Sequence, residues 1–222
     1  MTKELAAVPQ MLRERIIQEG EISPDGAVLR LKPLNRVVDV HLISRMADYM
    51  ADWVKREVPV LKLEADKARV MVVESSGNML AGSLGERLAL SVVVVKKGRP
   101  GTMFGPVLTE EIHSFTRQQP TTIAVERRDI AGMNLVGVDD FAASGDTLEA
   151  VEKMAKRAGG ELIAILVGIA KPSQGSGEIM SRIRSLAVVE IESMRAGTAA
   201  EPARIKFRDL PEQSLVRRWG DG

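Results

Sequence analysis

The chain has 222 residues, enough for one large domain; 45% are hydrophobic and only 3% aromatic, so Val, Leu, Ile, Met and Ala must fill the core. Its 31 basic and 30 acidic residues leave a net charge of +1, which offers no electrostatic footprint for nucleic acid or an anionic membrane. The chain has no cysteine, which excludes a disulfide framework, a thiolate metal site and a cysteine nucleophile, and fits a reducing cytoplasm.

The opening Met1-Thr2-Lys3-Glu4 does not read as a signal peptide, and no apolar run approaches the roughly 20 residues of a membrane span. The expectation is a soluble, cytoplasmic protein. Residues 3–19 carry Leu5, Val8, Leu12, Ile16 and Ile17 at helical spacing and stop at Gly20. Residues 21–35 read as irregular, with a turn at Pro24-Asp25-Gly26 and a short strand at residues 28–31. Over residues 38–56, Leu42, Ile43, Met46, Met50, Trp53 and Val54 share one helical face. Residues 69–74 read as a strand, followed by a polar turn, Ser75-Ser76-Gly77-Asn78, and a helix through Leu88. Residues 91–95 form a second strand, too continuously apolar to have an exposed face, as in parallel sheets.

Residues 96–120 are basic and rich in Gly and Pro, and read as a long flexible loop of the kind that serves as a lid. Residues 121–125, 134–138, 161–170 and 187–191 are further strands, with helices at 147–157 and 179–183. From Ala196 on, the basic tail with Arg204, Lys206, Arg208, Arg217 and Arg218 reads as a solvated edge or subunit contact. Strand–helix alternation predicts an α/β fold in a single domain, 1–222, with a mostly parallel central sheet and helices on both faces.

Residues 135–148 organise the rest. Apolar Leu135-Val136-Gly137-Val138 lead into Asp139-Asp140, then Phe141-Ala142-Ala143-Ser144-Gly145-Asp146-Thr147-Leu148. Adjacent carboxylates leaving a strand project in opposite directions, so one can face a sugar while the other turns to metal, water or structure. Small residues before a helix let backbone N–H groups converge on a phosphate. The combination fits a phosphorylated ribose. Read alone, the same residues also suit an acidic surface turn and a capped helix. Single residues carry dull readings too: Lys96 and Lys97 as strand-end charges, Asn35 as a helix N-cap, Leu29 as core, Lys171 before Pro172 as a surface turn. His41 and His113 have no second ligand at metal spacing, and neither is expected to bind metal.

The stretch resembles the phosphoribosyl pyrophosphate (PRPP) motif of type I phosphoribosyltransferases: Asp139-Asp140 match the acids, and Ala143-Ser144-Gly145-Asp146-Thr147 the 5′-phosphate loop. Asp146 departs from the commoner glycine, so its side chain must point away from the phosphate. Glu74-Ser75-Ser76-Gly77 resembles the family's pyrophosphate loop, for which a non-proline cis peptide at Glu74-Ser75 or Ser75-Ser76 is implied. Residues 92–97, His113-Ser114-Phe115-Thr116 and residues 121–125 resemble the two sides of its flexible loop. The hood segment, about residues 20–36 with the segment after 170, is similar to that of the xanthine-specific branch.

The resemblance implies an Mg2+-dependent transfer of the 5-phosphoribosyl group from PRPP to a purine, xanthine or another oxopurine favoured, with release of pyrophosphate. It implies that Asp139 and Asp140 hold the ribose hydroxyls, that residues 143–147 bind the 5′-phosphate, and that Glu74, Ser75, Ser76 and Gly77 hold pyrophosphate. Lys96 and Lys97, with Arg99, neutralise pyrophosphate; Leu29, Asn35 and Lys171 line the base site. Mg2+ enters with PRPP, with no high-affinity protein ligand set beyond Asp139 or Asp140. A homodimer is implied, with no nucleic-acid or membrane partner. No aromatic follows Lys171 until Phe207, which leaves the base-stacking surface missing or supplied by an apolar residue. The alternatives are an adenine phosphoribosyltransferase or a PRPP sensor of the same fold.

Overall fold

The computed structural model describes residues 2–61, 63–64, 66–113 and 120–217. Ser114, Phe115, Thr116 and Arg218 lie outside the described residues. The expected first helix is two, α1 (Lys3–Ala6) and α2 (Val8–Glu19). Pro9 has no N–H to continue the ladder from α1, and its place in the first turn of α2 is where that loss is harmless.

Strands β1 (Glu21–Ile22) and β2 (Leu29–Arg30) pair antiparallel as a small ribbon, the core of the hood. Helix α3 (Lys32–Asn35) follows, then α4 (Val40–Leu61). Asp39 starts α4: its carboxylate accepts from the amides of His41 and Leu42 at 3.0 and 3.1 Å. The alternating part of the chain then runs β3 (Ala68–Val73), α5 (Asn78–Leu88), β4 (Val92–Lys97), β5 (Val107–Ile112) and β6 (Thr121–Glu126). It continues with β7 (Asn134–Ala142), α6 (Asp146–Arg157), β8 (Glu161–Ala170), α7 (Ser176–Arg182), β9 (Ser185–Arg195), β10 (Arg204–Phe207) and β11 (Gln213–Ser214).

Among the described residues the main sheet has nine strands in the order β11-β10-β9-β8-β7-β3-β4-β6-β5. Its centre, β9-β8-β7-β3-β4, is parallel. Antiparallel strands extend it at both edges, so the whole is a mixed sheet with a parallel heart.

Both extensions correct the sequence reading. The supposed loop 96–120 contains β5, which pairs with β6 through six residue pairs from Val107↔Glu126 to Ile112↔Thr121. Adjacent Glu110 and Glu111 hide its alternation, yet Leu108 and Ile112 are buried. The basic tail lies at the sheet's edge as β10 and β11, but one of its faces belongs to the core. Arg204-Ile205-Lys206-Phe207 alternates at the period of a strand, and Ile205 and Phe207 are fully buried.

Period two also divides the core. Val70, Val72, Val136 and Val138 face α2, α4 and α5, while Met71, Val73, Leu135 and Val167 face α6 and α7. Strand β8 carries one extra residue, Ile163, because Leu135 pairs with Leu162 and Val136 with Ala164. One further mismatch shapes the site. Pairing of β3 with β7 ends at Val72↔Val138, whereas β8 stays with β7 to Ala142↔Ala170. Residues 139–142 therefore have one open edge, facing the turn that follows β3.

Candidate active site

A cavity of about 830 Å³ opens at that edge. Asp139 and Asp140 line it from within β7, which runs four residues beyond the expected end at Val138. Both residues line the same cavity, beside the edge that β3 leaves open. Asp140 accepts from Ser76 Oγ at 2.9 Å. Burial, then the charge of Asp140, pushes Asp139 well above the ordinary carboxylate range. Burial raises Asp140 as well, against the pull of the hydrogen bonds from Asp139 and Ser76 and the positive charge of Lys97.

The small-residue turn follows directly. Gly145 adopts φ +88°, and a Cβ there would lie 3.1 Å from Ser176 Cα. The turn is braced from outside by the start of α7, where the Ser176 amide donates to the Ala143 carbonyl at 2.8 Å. Gly175 fits because a Cβ would come 2.6 Å from the Ser144 carbonyl oxygen. The amides of Ala143, Ser144, Gly145 and Thr147 have no hydrogen-bond partner among the described residues, and these four residues line the cavity. They converge at the N-terminus of α6, an arrangement suited to an anion. Asp146 begins the helix and stays off the cavity wall.

On the opposite edge, the Glu74-Ser75 peptide is cis, one of the two positions expected. Glu74 lines the cavity but spends its carboxylate on β4: it accepts from the Lys97 amide at 2.7 Å and from Lys96 Nζ at 3.1 Å. The Lys97 amide, ahead of the Lys96 charge, holds Glu74 below its ordinary pKa. Lys97 lines the cavity, whereas Lys96 is turned to Glu74. Ser75, Gly77 and Arg99 are not among the lining residues. Gly77 still matters to the pair, since a Cβ there would meet Asp139 Oδ1 at 3.6 Å and Val72 Cγ2 at 3.0 Å.

The third wall is the hood. Leu29 is buried and Asn35 exposed, and both line the cavity, as does Arg36. Facing them, Lys171 is only 4% exposed. Its Nζ donates to the Ala27 carbonyl at 2.7 Å and stands 5.1 Å above the centre of the Phe141 ring. Burial lowers its pKa to about 8. Lys171 is thus no surface turn. Phe141 is the aromatic that sequence reasoning missed. The next aromatic after Lys171, Phe207, is core; the ring beside Lys171 comes from the motif itself, on the neighbouring strand. His113 lines the far wall, while His41 sits exposed on α4. Among the described residues no group of three His, Asp or Glu could hold a metal.

No protein-family model matches the chain. The xanthine phosphoribosyltransferase of Geobacillus thermodenitrificans is 31% identical over 189 residues, covering 84% of this chain and 93% of that protein. That of Heliobacterium modesticaldum is 30% identical over 203 residues, 89% of this chain and 99% of its own. Among solved structures, adenine phosphoribosyltransferase from Thermoanaerobacter pseudethanolicus superposes with TM-score 0.63 at 17% identity, covering 81% of this chain and 99% of that one. The Trypanosoma brucei enzyme in complex with AMP, pyrophosphate and ribose-5-phosphate gives TM-score 0.65 at 12% identity, covering 82% and 79%. These structural likenesses define the class of fold, that of the phosphoribosyltransferases. With curated relatives at this identity and coverage, the chain belongs to the type I phosphoribosyltransferase family.

Proposed function

We propose that the protein transfers the 5-phosphoribosyl group of PRPP to an oxopurine, xanthine first, and releases pyrophosphate. The observation that carries the base class is Lys171, whose ammonium is fixed by the Ala27 carbonyl over the Phe141 ring in the cavity wall. An ammonium has donors only, so it matches a purine 6-oxo group and clashes with the 6-amino group of adenine. The names of the relatives support xanthine within that class.

In the reaction the bond from ribose C1 to pyrophosphate oxygen breaks, and one to a purine nitrogen forms. The sugar carries developing positive charge between the two events. Asp139 and Asp140 hold the ribose hydroxyls. The amides of Ala143, Ser144, Gly145 and Thr147 take the 5′-phosphate, Ser76 and Lys97 face pyrophosphate, and Phe141 and Leu29 enclose the base. Such a site works by placing two reactants and stabilising charge. The acid pair beside a hydroxyl suits Mg2+ arriving with PRPP, since that ion takes one or two carboxylates plus substrate oxygens. Bound there, it would neutralise pyrophosphate charge. A cytoplasmic homodimer is the assembly this reading carries.

The test is pyrophosphate release from PRPP and Mg2+ with xanthine, guanine, hypoxanthine and adenine in parallel. Release with oxopurines, greatest for xanthine, is expected. Preference for adenine would overturn the base assignment. Tight PRPP binding without turnover on any base would make the protein a sensor.

A further inference from the structure

The hood is tied to the turn that follows β8 through the Ala27 carbonyl. Ala27 lies in the turn between β1 and β2, and that turn satisfies its own amides. Ser23 N donates to Val28 O at 2.9 Å, Gly26 N to Ser23 O at 2.8 Å, and Val28 N to Ser23 Oγ at 2.9 Å. Asp25 accepts from the Ala27 amide at 3.0 Å. The Ala27 carbonyl is left pointing inward, where it accepts from both Lys171 Nζ at 2.7 Å and Gln174 Nε2 at 3.2 Å. The reason these two converge is local. Residues 172–174 form one turn of 3-10 helix, in which positions three apart eclipse, and the Gln174 amide closes the turn on the Lys171 carbonyl at 2.9 Å.

Gln174 is an expensive choice at this place. Its Oε1 is buried without a partner among the described residues. A leucine of similar size would leave no acceptor unpaired, so packing alone does not account for an amide there. We propose that Gln174 is a positioning residue for base recognition: it anchors the Ala27 carbonyl, so that Lys171 keeps its ammonium directed into the cavity while the hood stays closed over it. An ammonium has three donors, and with one fixed on Ala27 the other two are held in set directions. The charge that faces Lys171 from the hood is Asp25.

This inference rests on the reading of Lys171 as the base-contacting residue. Its test compares wild type, Gln174→Leu and Gln174→Glu in steady-state turnover, varying base and PRPP separately from neutral pH into the alkaline range. Gln174→Leu is expected to raise the KM for the base up to about tenfold, near the upper worth of the neutral hydrogen bond lost to the Ala27 carbonyl. The KM for PRPP and the melting temperature should not suffer. Gln174→Glu should carry the alkaline fall of kcat/KM for the base to higher pH, because a carboxylate at that place favours the ammonium. Ionisation of the base is common to both enzymes and cancels. A wild type that turns over while Gln174→Leu keeps its base KM within about twofold, or while the Gln174→Glu profile coincides with wild type, overturns the role of Gln174 alone. A wild type that releases no pyrophosphate with any purine overturns the base-site reading and this inference with it.

Discussion

Ser76 and Asp140 meet across 2.9 Å, the hydroxyl on the turn after β3 donating to the carboxylate inside β7. That bond joins the two edges of the cavity, which the proposed function gives to pyrophosphate and to ribose. It also favours the charged form of Asp140 against burial. Ser76→Ala should therefore raise the KM for PRPP by about tenfold, in line with the loss of a hydrogen bond to a charged group, and leave the KM for the base near wild type. Initial rates with each substrate varied in turn would show it.

The acid pair is held at a cost to the free protein. Burial lifts both carboxyl groups above 3.8, so between that value and their raised values the folded chain binds more protons than the unfolded one. Stability then falls as pH rises through that window. Replacing both by asparagine removes the titration. Asp139→Asn with Asp140→Asn should abolish turnover and raise the melting temperature at neutral pH by about 2–4 °C for each ~1 kcal/mol recovered. Retained turnover would refute the roles given to the pair.

Two neighbouring lysines should behave differently. Lys96 is paired with Glu74, while Lys97 lines the cavity. Lys97→Met should lower kcat/KM for PRPP by at least about tenfold, as expected for a charge aimed at a polyphosphate. Lys96→Met should lose only about threefold, since a half-exposed pair contributes little. Equal losses in the two variants would remove the distinction.

Lys171→Met should weaken the base and spare PRPP. In the wild type the KM for the base should climb as pH passes about 8, where the buried ammonium gives up its proton. Competition binding of PRPP to Lys171→Met provides the check. A collapse of PRPP affinity would mean that the lysine serves the sugar phosphate instead.

Gly145→Ala probes the anion turn. The backbone there has φ +88°, and the added methyl would crowd Ser176 Cα at 3.1 Å. A stability loss of about 1–3 kcal/mol is expected, with weakened inhibition by ribose-5-phosphate. Calorimetry and an inhibition series would read both.

The parallel heart of the sheet was legible because its strands are buried on both faces and read as apolar runs; residues 161–170 were placed to the residue. What escaped were half-buried strands toward the two ends of the sheet. In β5 and β10 polar and charged residues are interspersed with Leu108, Ile112, Ile205 and Phe207, a short pattern that composition alone reads as loop or tail. At the site, the motif located the acids and the turn, but not the open sheet edge beside them. That depends on where β3 stops beside β7, a pairing fact with no local signature. Phe141 escaped for the same reason. Its neighbour Lys171 is thirty positions on in the chain, and β7–β8 pairing brings them together. Gln174 left no mark beyond its place three residues after Lys171.

The extra residue in β8 acts at its own position. Ile163 sits opposite the start of β7, and the pairs after it, through Asp139↔Val167 and Ala142↔Ala170, run in regular register. Deleting that single isoleucine would set Leu162 beside Ala164 opposite Leu135 and Val136, already on alternate faces, so the pairs up to Ala142↔Ala170 would keep their partners and only the bend and extra twist of the bulge would be lost.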